Sequence, residues 1–416
     1  MAAAAADPEV LAREALDWLL GLAVPDGLGL AWPGTREDAE PNPTLYSGTA
    51  GIVLALVEAY RYFEDERYAL AAARGLRSLA AAAGEGWELS SLYFGLAGMA
   101  YALRAAGDAL GDEDARSAAA TAFDLVRARF DGERWADQFE LLGGNAGIAL
   151  GAAAAGDLDL AVMAVAPYLR TAEPTDAGVH WEVRAGMPAR WHHVAHGTLG
   201  IVCALATTGQ AVGRADLVDL ALAGAADVVA RNEAGPDGFL VPHSDPQHRP
   251  EIIERYSYGW CNGPTGDAQV FRLLAQITGD QVWQHLADRC WHTVIHSGLP
   301  ARLRPGFWDN SGSCCGTAGV LSMACDRQAE HLDGLAFADV LVSDLAARAT
   351  RDDAGARWSN HEHRSTASAL AARTGWAMGN AGIVRELLRY ARIRDGRDGA
   401  YAIPWPGHPP VSPVPS

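Results

Sequence analysis

Three cysteines stand where their spacing could do chemistry. Cys261 lies in Trp260-Cys261-Asn262-Gly263, and Cys314 and Cys315 directly precede Gly316. In each place a Gly-x-x-Gly element follows at once, so the three thiols share a register even though they are far apart in the chain. Zinc takes thiolate or imidazole ligands in a tetrahedron, and a site with three protein ligands keeps its fourth position for water or substrate. The spacing is not that of a zinc finger. Small buried cysteines are the plain alternative, and the shared register favours ligands over them. Cys203, Cys290 and Cys325 lie inside apolar helical patterns and read as core. Six cysteines in 416 residues are too few for a disulfide scaffold, so the unusual ones read as metal-binding or catalytic.

The elements that position these thiols form a repeat. Gly-x-x-Gly followed by apolar residues occurs seven times, beginning at Gly48, Gly95, Gly144, Gly197, Gly263, Gly316 and Gly379. Successive copies lie roughly 50 to 65 residues apart, the scale of a helical hairpin with its loops. Each copy opens a helical pattern, as in IVLALVEAYRYF after Gly51, for which Ser47 is the expected cap. A second helix follows a short polar break. The first helix of the chain has Asp7 as cap and Pro8 in its first turn. Two glycines in a first turn cost helix propensity, and close approach of backbones or of a ligand supplies the reason.

The expected fold is therefore all-α, an α/α toroid of seven inner and seven outer helices. Closure is preferred over an open solenoid because neither end shows a polar capping repeat. The glycine turns then lie at one end of the inner helices and converge on a cavity. GVHWEV (178–183) and GFLVPHS (238–244) alternate like strands and predict small β-hairpins over the cavity mouth in the fourth and fifth connections. Residues 1–402 read as one toroid, and 403–416 as a proline-rich extended tail.

Composition narrows the function. A net charge of −18 argues against a nucleic-acid partner and against an anionic membrane surface. No stretch predicts a bilayer span, and MAAAAADPEV lacks the basic start of a signal peptide, so a cytoplasmic protein is expected.

The sevenfold Gly-x-x-Gly register, Trp-Cys-Asn-Gly-Pro-Thr-Gly, Cys-Cys-Gly and Ala-His-Gly together resemble the LanC-like lanthionine synthetase cyclases over nearly the whole chain. The resemblance implies one zinc ion per chain, held by Cys261, Cys314 and Cys315 in the three-cysteine subset of that family. Many members have Cys-His-Gly at the sixth repeat. Three thiolates leave the protein site at about −1, and a bound substrate thiolate adds to that charge, which loosens the metal's hold on the sulfur. The implied reaction adds peptide cysteine thiols to dehydroalanine or dehydrobutyrine, closing lanthionine or methyllanthionine rings. Thiolate attack creates an enolate whose α-carbon must be protonated. His196 looks like the family histidine that handles that proton, with Glu140, or its rival Asp137, orienting it. His192 and His193 lack the motif position.

Asn262 stands where many cyclases have a tyrosine, and Ser257 where members can have an arginine, for which Arg255 is a loose substitute. Asn262, Arg255 and Arg364 are the substrate-contacting candidates. In WSNHEHR (358–364) Glu362 and Arg364 are expected as a buried pair, not His361 and His363 as a second metal site. The implied partners are a dehydrated precursor peptide and separate dehydratase, kinase or lyase proteins. The alternatives are addition of glutathione to dehydroamino acids, a non-catalytic zinc-bearing scaffold for a synthetase complex, and a glycosidase or prenyltransferase on a related barrel. A glycosidase needs two carboxylates across the cavity, for which the turns offer Glu140 and Asp267.

Overall fold

The computed structural model describes residues 7–411 apart from 188, 305–306 and 360–369. The chain opens with α1 (Pro8–Gly21), whose cap Asp7 accepts the Glu9 N–H, and a hairpin of β1 (Val24–Asp26) and β2 (Gly29–Ala31). Helical pairs follow: α2 (Thr49–Phe63) with α3 (Glu66–Gly84), α4 (Leu96–Leu110) with α5 (Glu113–Ala128), and α6 (Asn145–Ala155) with α7 (Leu158–Val165) and the single turn α8 (Tyr168–Thr171). After β3 (Glu173–Pro174), β4 (Val179–His180) and β5 (Arg190–Trp191) come α9 (Thr198–Val212) with α10 (Ala215–Val229), β6 (Ser244–Asp245), and α11 (Pro264–Thr278) with α12 (Gln281–His296). The last elements are α13 (Thr317–His331) with α14 (Ala336–Arg348), β7 (Thr350–Asp352), β8 (Gly355–Arg357) and α15 (Asn380–Arg394).

Local chemistry explains the alternation. The inner helices α2, α4, α6, α9, α11, α13 and α15 are buried over most of their length, whereas outer helices such as α3 and α5 bury one stripe. Six inner helices end on left-handed residues, at Glu64, Gly111, Gly156, Gly213, Gly279 and Leu332. Aspartates then cap four outer helices: Asp65, Asp112, Asp157 and Asp280 each accept a backbone N–H of the first turn.

The ring closes as expected. Each inner helix packs on the next, and α15 packs on α2. The seventh outer helix is α1, which packs on α15, so the beginning of the chain completes the last hairpin. The paired glycines have a steric cause. A Cβ on Gly98 would fall 1.8 Å from the Leu92 carbonyl oxygen and 3.0 Å from the Leu45 Cβ of the preceding repeat, and the second glycine of other pairs is crowded in the same way. The first glycine, not the residue before it, is the N-cap. Gly48 caps α2 with no side-chain bond, so Ser47 does not have the capping role its position suggested.

The small strands differ in place from the expected hairpins. Residues 178–183 contribute only β4, which pairs with β3 against the outer helix α10. Residues 238–244 contribute only Ser244, in β6, which pairs with β5 and so ties the fifth connection to the fourth. Hairpins β1–β2 and β7–β8 had no signal in the alternation.

The stretch from Ile403, read as a tail beyond the toroid, has no regular structure in its described residues but is packed into the interior of the ring. Ile403 and Trp405 are buried, and the Trp405 ring stacks on Trp376 with centroids 4.1 Å apart. Trp405 Nε1 donates to Tyr93, Tyr101 donates to the Pro404 carbonyl, and Gln276 Nε2 donates to the Pro410 carbonyl. Beside it lies a buried ionic lattice in which Arg272 and Arg389 share Asp326, and Arg385 and Arg392 share Glu58. Burial pushes Glu386, which accepts from Tyr401, up to about 7. Trp405→Ala should therefore act as a core truncation, costing about 3–5 kcal/mol, readable as a lowered denaturant midpoint. An unchanged midpoint would mean the segment is not part of the folded core.

Candidate metal centre

The rim is organised by a belt of backbone hydrogen bonds among the residues two places before the first glycine of each repeat. The N–H of Leu142 donates to the carbonyl of Ala195, Ala195 to Cys261, Cys261 to Cys314, Cys314 to Ala377, Ala377 to Tyr46 and Tyr46 to Tyr93, at 2.8–3.3 Å. Cys261 and Cys314 are thus equivalent residues of adjacent repeats, held by direct contact. Cys315 occupies the next position, which in other repeats is Ser47, Phe94, Gly143, His196, Asn262 and Met378. All of these but Met378 are partly exposed, while most of their predecessors are buried. In most turns the belt therefore sends one side chain into the interior and the next toward the mouth. Gly259 lets the turns meet, since a Cβ there would lie 3.0 Å from the Cys315 Cα.

The three sulfurs converge. Cys261 Sγ is 3.1 Å from Cys315 Sγ, Cys315 Sγ is 3.4 Å from Cys314 Sγ, and all three lie within 4.8 Å of one another. A tetrahedral zinc with bonds of about 2.3 Å spaces its sulfurs about 3.8 Å apart, so the cluster fits the ion with shifts of a few tenths of an ångström. Hydrogen bonds from the Cys261 and Cys315 thiols and from Tyr46 hold Cys314 well below the usual thiol range; the hydrogen bond to Cys314 pushes Cys261 up, and those to Cys261 and Cys314 push Cys315 up, with burial adding to both. Burial pushes the Tyr46 phenol well up, so it stays a donor to Cys314, 3.6 Å away. Asn262 Nδ2 lies 3.4 Å from Cys261 Sγ. Cys203, Cys290 and Cys325 are buried apart from the cluster.

Cys261, Asn262 and Cys315 open onto a cavity of about 410 Å³ whose other wall carries His196 and Arg184. His196 Nδ1 lies 3.6 Å from Glu140 Oε1 and 3.4 Å from an Arg184 guanidinium nitrogen. Glu140 is fully buried and accepts the N–H groups of Leu142 and Gly143, which fixes it beneath the histidine. Asp137, its rival, is exposed.

Other residues lie elsewhere than the sequence suggested. Arg255 binds Glu233 and Tyr256 on the outside, half-exposed, and does not line the cavity. Arg364, His361 and His363 lie outside the described residues, as does Glu362. Glu140 and Asp267 do not face each other across the cavity: Asp267 is buried against His193, 2.8 Å from its Nδ1. Sequence reasoning missed that dyad, as well as His243, held down to about 3 by burial, and Arg184. His193 precedes Gly197 by four residues, as Glu140 precedes Gly144, and that register was the signal available for it. Arg184 sits in an irregular connection with no register at all.

The family model described as lanthionine synthetase C-like protein matches residues 40–392. Among solved structures the chain is similar to nisin cyclase, with a TM-score of 0.64 at 14% identity over 90% of this chain and 93% of that one. It is also similar to an α-1,6-mannanase from Salegentibacter sp. (TM-score 0.51, 13% identity, 93% and 99% covered). An unsaturated glucuronyl hydrolase from Bacillus sp. GL1 aligns likewise (TM-score 0.51, 16% identity, 85% and 98% covered). At such identities these structures share the fold. No curated protein sequence matches the chain.

Proposed function

The chain belongs to the lanthionine synthetase C-like family, and from that premise we propose that it is a zinc-dependent cyclase closing thioether rings in a dehydrated precursor peptide. The observation that carries this reading is three convergent thiols facing, across one cavity, a histidine backed by a buried carboxylate. Cys261, Cys314 and Cys315 would hold the zinc, which when bound supplies a Lewis acid that keeps a peptide cysteine as thiolate at neutral pH. The amide of Asn262, 3.4 Å from Cys261 Sγ, would flank a peptide sulfur bound at the same site. His196 delivers a proton to the α-carbon once carbon–sulfur bond formation has left negative charge on the acceptor. Glu140 holds His196 in place and balances the charge it carries as a donor. Trp191, Trp308 and Phe307 give the same cavity an apolar wall against which the dehydro residue can lie.

The mannanase-like folds do not favour hydrolysis here, because Glu140 and Asp267 are spent on His196 and His193. The peptide's dehydration would be the work of separate proteins. The test is thiol titration: with the dehydrated peptide encoded beside its gene, the protein should consume free thiols without a change of peptide mass. Bound peptide with no thiol loss would instead mark a scaffold, and thiol loss only with added glutathione, with a mass increase, would mark an intermolecular transferase.

A further inference from the structure

Arg184 is an arginine of the cavity wall with no anion beside it among the described residues. Its guanidinium carbon lies 4.4 Å above the Trp191 ring, and Trp191 in turn meets the His196 ring edge-on at 5.7 Å. Among the described residues the guanidinium forms no ion pair; its hydrogen-bonding neighbour is His196 Nδ1 at 3.4 Å, and its Nε is buried with no partner. The cavity's other cations are matched. Arg304 lies 3.5 Å from Glu254, and Arg249 4.0 Å from Glu251. A guanidinium cannot shed its proton, so a half-buried one with free donors is costly unless the ligand brings negative charge.

The reaction proposed above, on which this inference rests, brings that charge at one step. The thiolate's electron pair forms the bond to the β-carbon, and the carbon–carbon π pair moves so that the dehydro residue's carbonyl oxygen becomes an enolate. The pair then returns as the α-carbon takes a proton from His196, and nothing leaves. We propose that Arg184 is a catalytic residue that donates to this enolate oxygen. Its place beside His196 sets the oxygen and the α-carbon of one residue against the two side chains that serve them. The stack on Trp191 and the buried carboxylate of Glu140 below fix the pair before substrate arrives, as electrostatic stabilisation requires. A permanent carboxylate on the peptide would satisfy the same guanidinium, and that source makes a different prediction.

The test uses a capped peptide with one cysteine, one dehydroalanine and no acidic residue, together with a copy carrying an aspartate beside the dehydroalanine. Arg184→Gln should lower kcat on the carboxylate-free peptide by about 100-fold, with KM little changed and zinc content and melting temperature as in the wild type. Arg184→Lys, which keeps the charge but loses the flat stack, should recover part of the rate. A KM rise confined to the aspartate peptide, with kcat intact, would overturn the proposal in favour of a substrate carboxylate. Normal kinetics in both variants would overturn it outright. If the wild type closed neither peptide, the cyclase reading itself would fall and take this inference with it; that result is distinguishable because it precedes any substitution.

Discussion

Cys261→Ala should leave a folded protein that neither retains zinc nor consumes peptide thiols. The alanine removes one of three ligands, and two thiolates with no rigid third position make a poor site for an ion that wants a tetrahedron. Metal affinity should fall by more than the roughly 10–100-fold that accompanies loss of an outer contact to a ligand. Stability should suffer less, because Cys261 is held by its backbone: its N–H donates to Cys314 and its carbonyl accepts from Ala195, and alanine keeps both bonds. Ala377 already occupies the equivalent belt position in the seventh repeat, so the fold tolerates that side chain there. Metal analysis after dialysis, circular dichroism and thiol titration check the three parts separately. A variant that stays folded, loses its zinc and still closes rings at the normal rate would refute the proposed chemistry while leaving the fold untouched.

The toroid was legible because its physics repeats. A backbone clash that excludes any Cβ writes glycine into the sequence wherever a turn meets its neighbour, and seven such clashes leave seven marks. The convergence of the thiols was legible for the same reason, since the belt that makes Cys261 and Cys314 equivalent is a property of register. What failed lay between the repeats. Arg255 was nominated by its offset from Cys261, but an offset within an irregular connection does not tell which way a side chain turns, and Glu233 draws it outward. Arg184 enters the cavity from the fourth connection because its backbone bridges Gln138 and its side chain lies on Trp191, contacts between segments that periodicity cannot show. The proline-rich composition beyond Ile403 matched an extended tail, yet Trp405 reaches Trp376 and Tyr93, residues of the glycine turns, inside the ring, partners visible only once the ring has closed.

His196→Asn should lower the rate of ring closure by about 100- to 10,000-fold, the range for loss of a positioned proton donor, while zinc content stays normal. Asparagine keeps a polar side chain at the mouth but cannot carry the proton, so thiolate attack can still begin and the enolate must wait for water. Water can reach either face of the α-carbon, whereas His196 is fixed on one. The variant should therefore lose stereochemical control at the α-carbon as well as rate, and chiral analysis of the hydrolysed thioether would reveal both configurations. Glu140→Gln separates delivery from positioning. The carboxylate accepts the Leu142 and Gly143 N–H groups while facing His196 Nδ1, and an amide in its place can set an N–H against one of those donors. A smaller rate loss with one α-carbon configuration preserved is expected, because the imidazole is loosened but still present. If instead the asparagine variant made a single configuration at full rate, the proton would have to come from another fixed donor, and His196 would be left as a wall of the cavity.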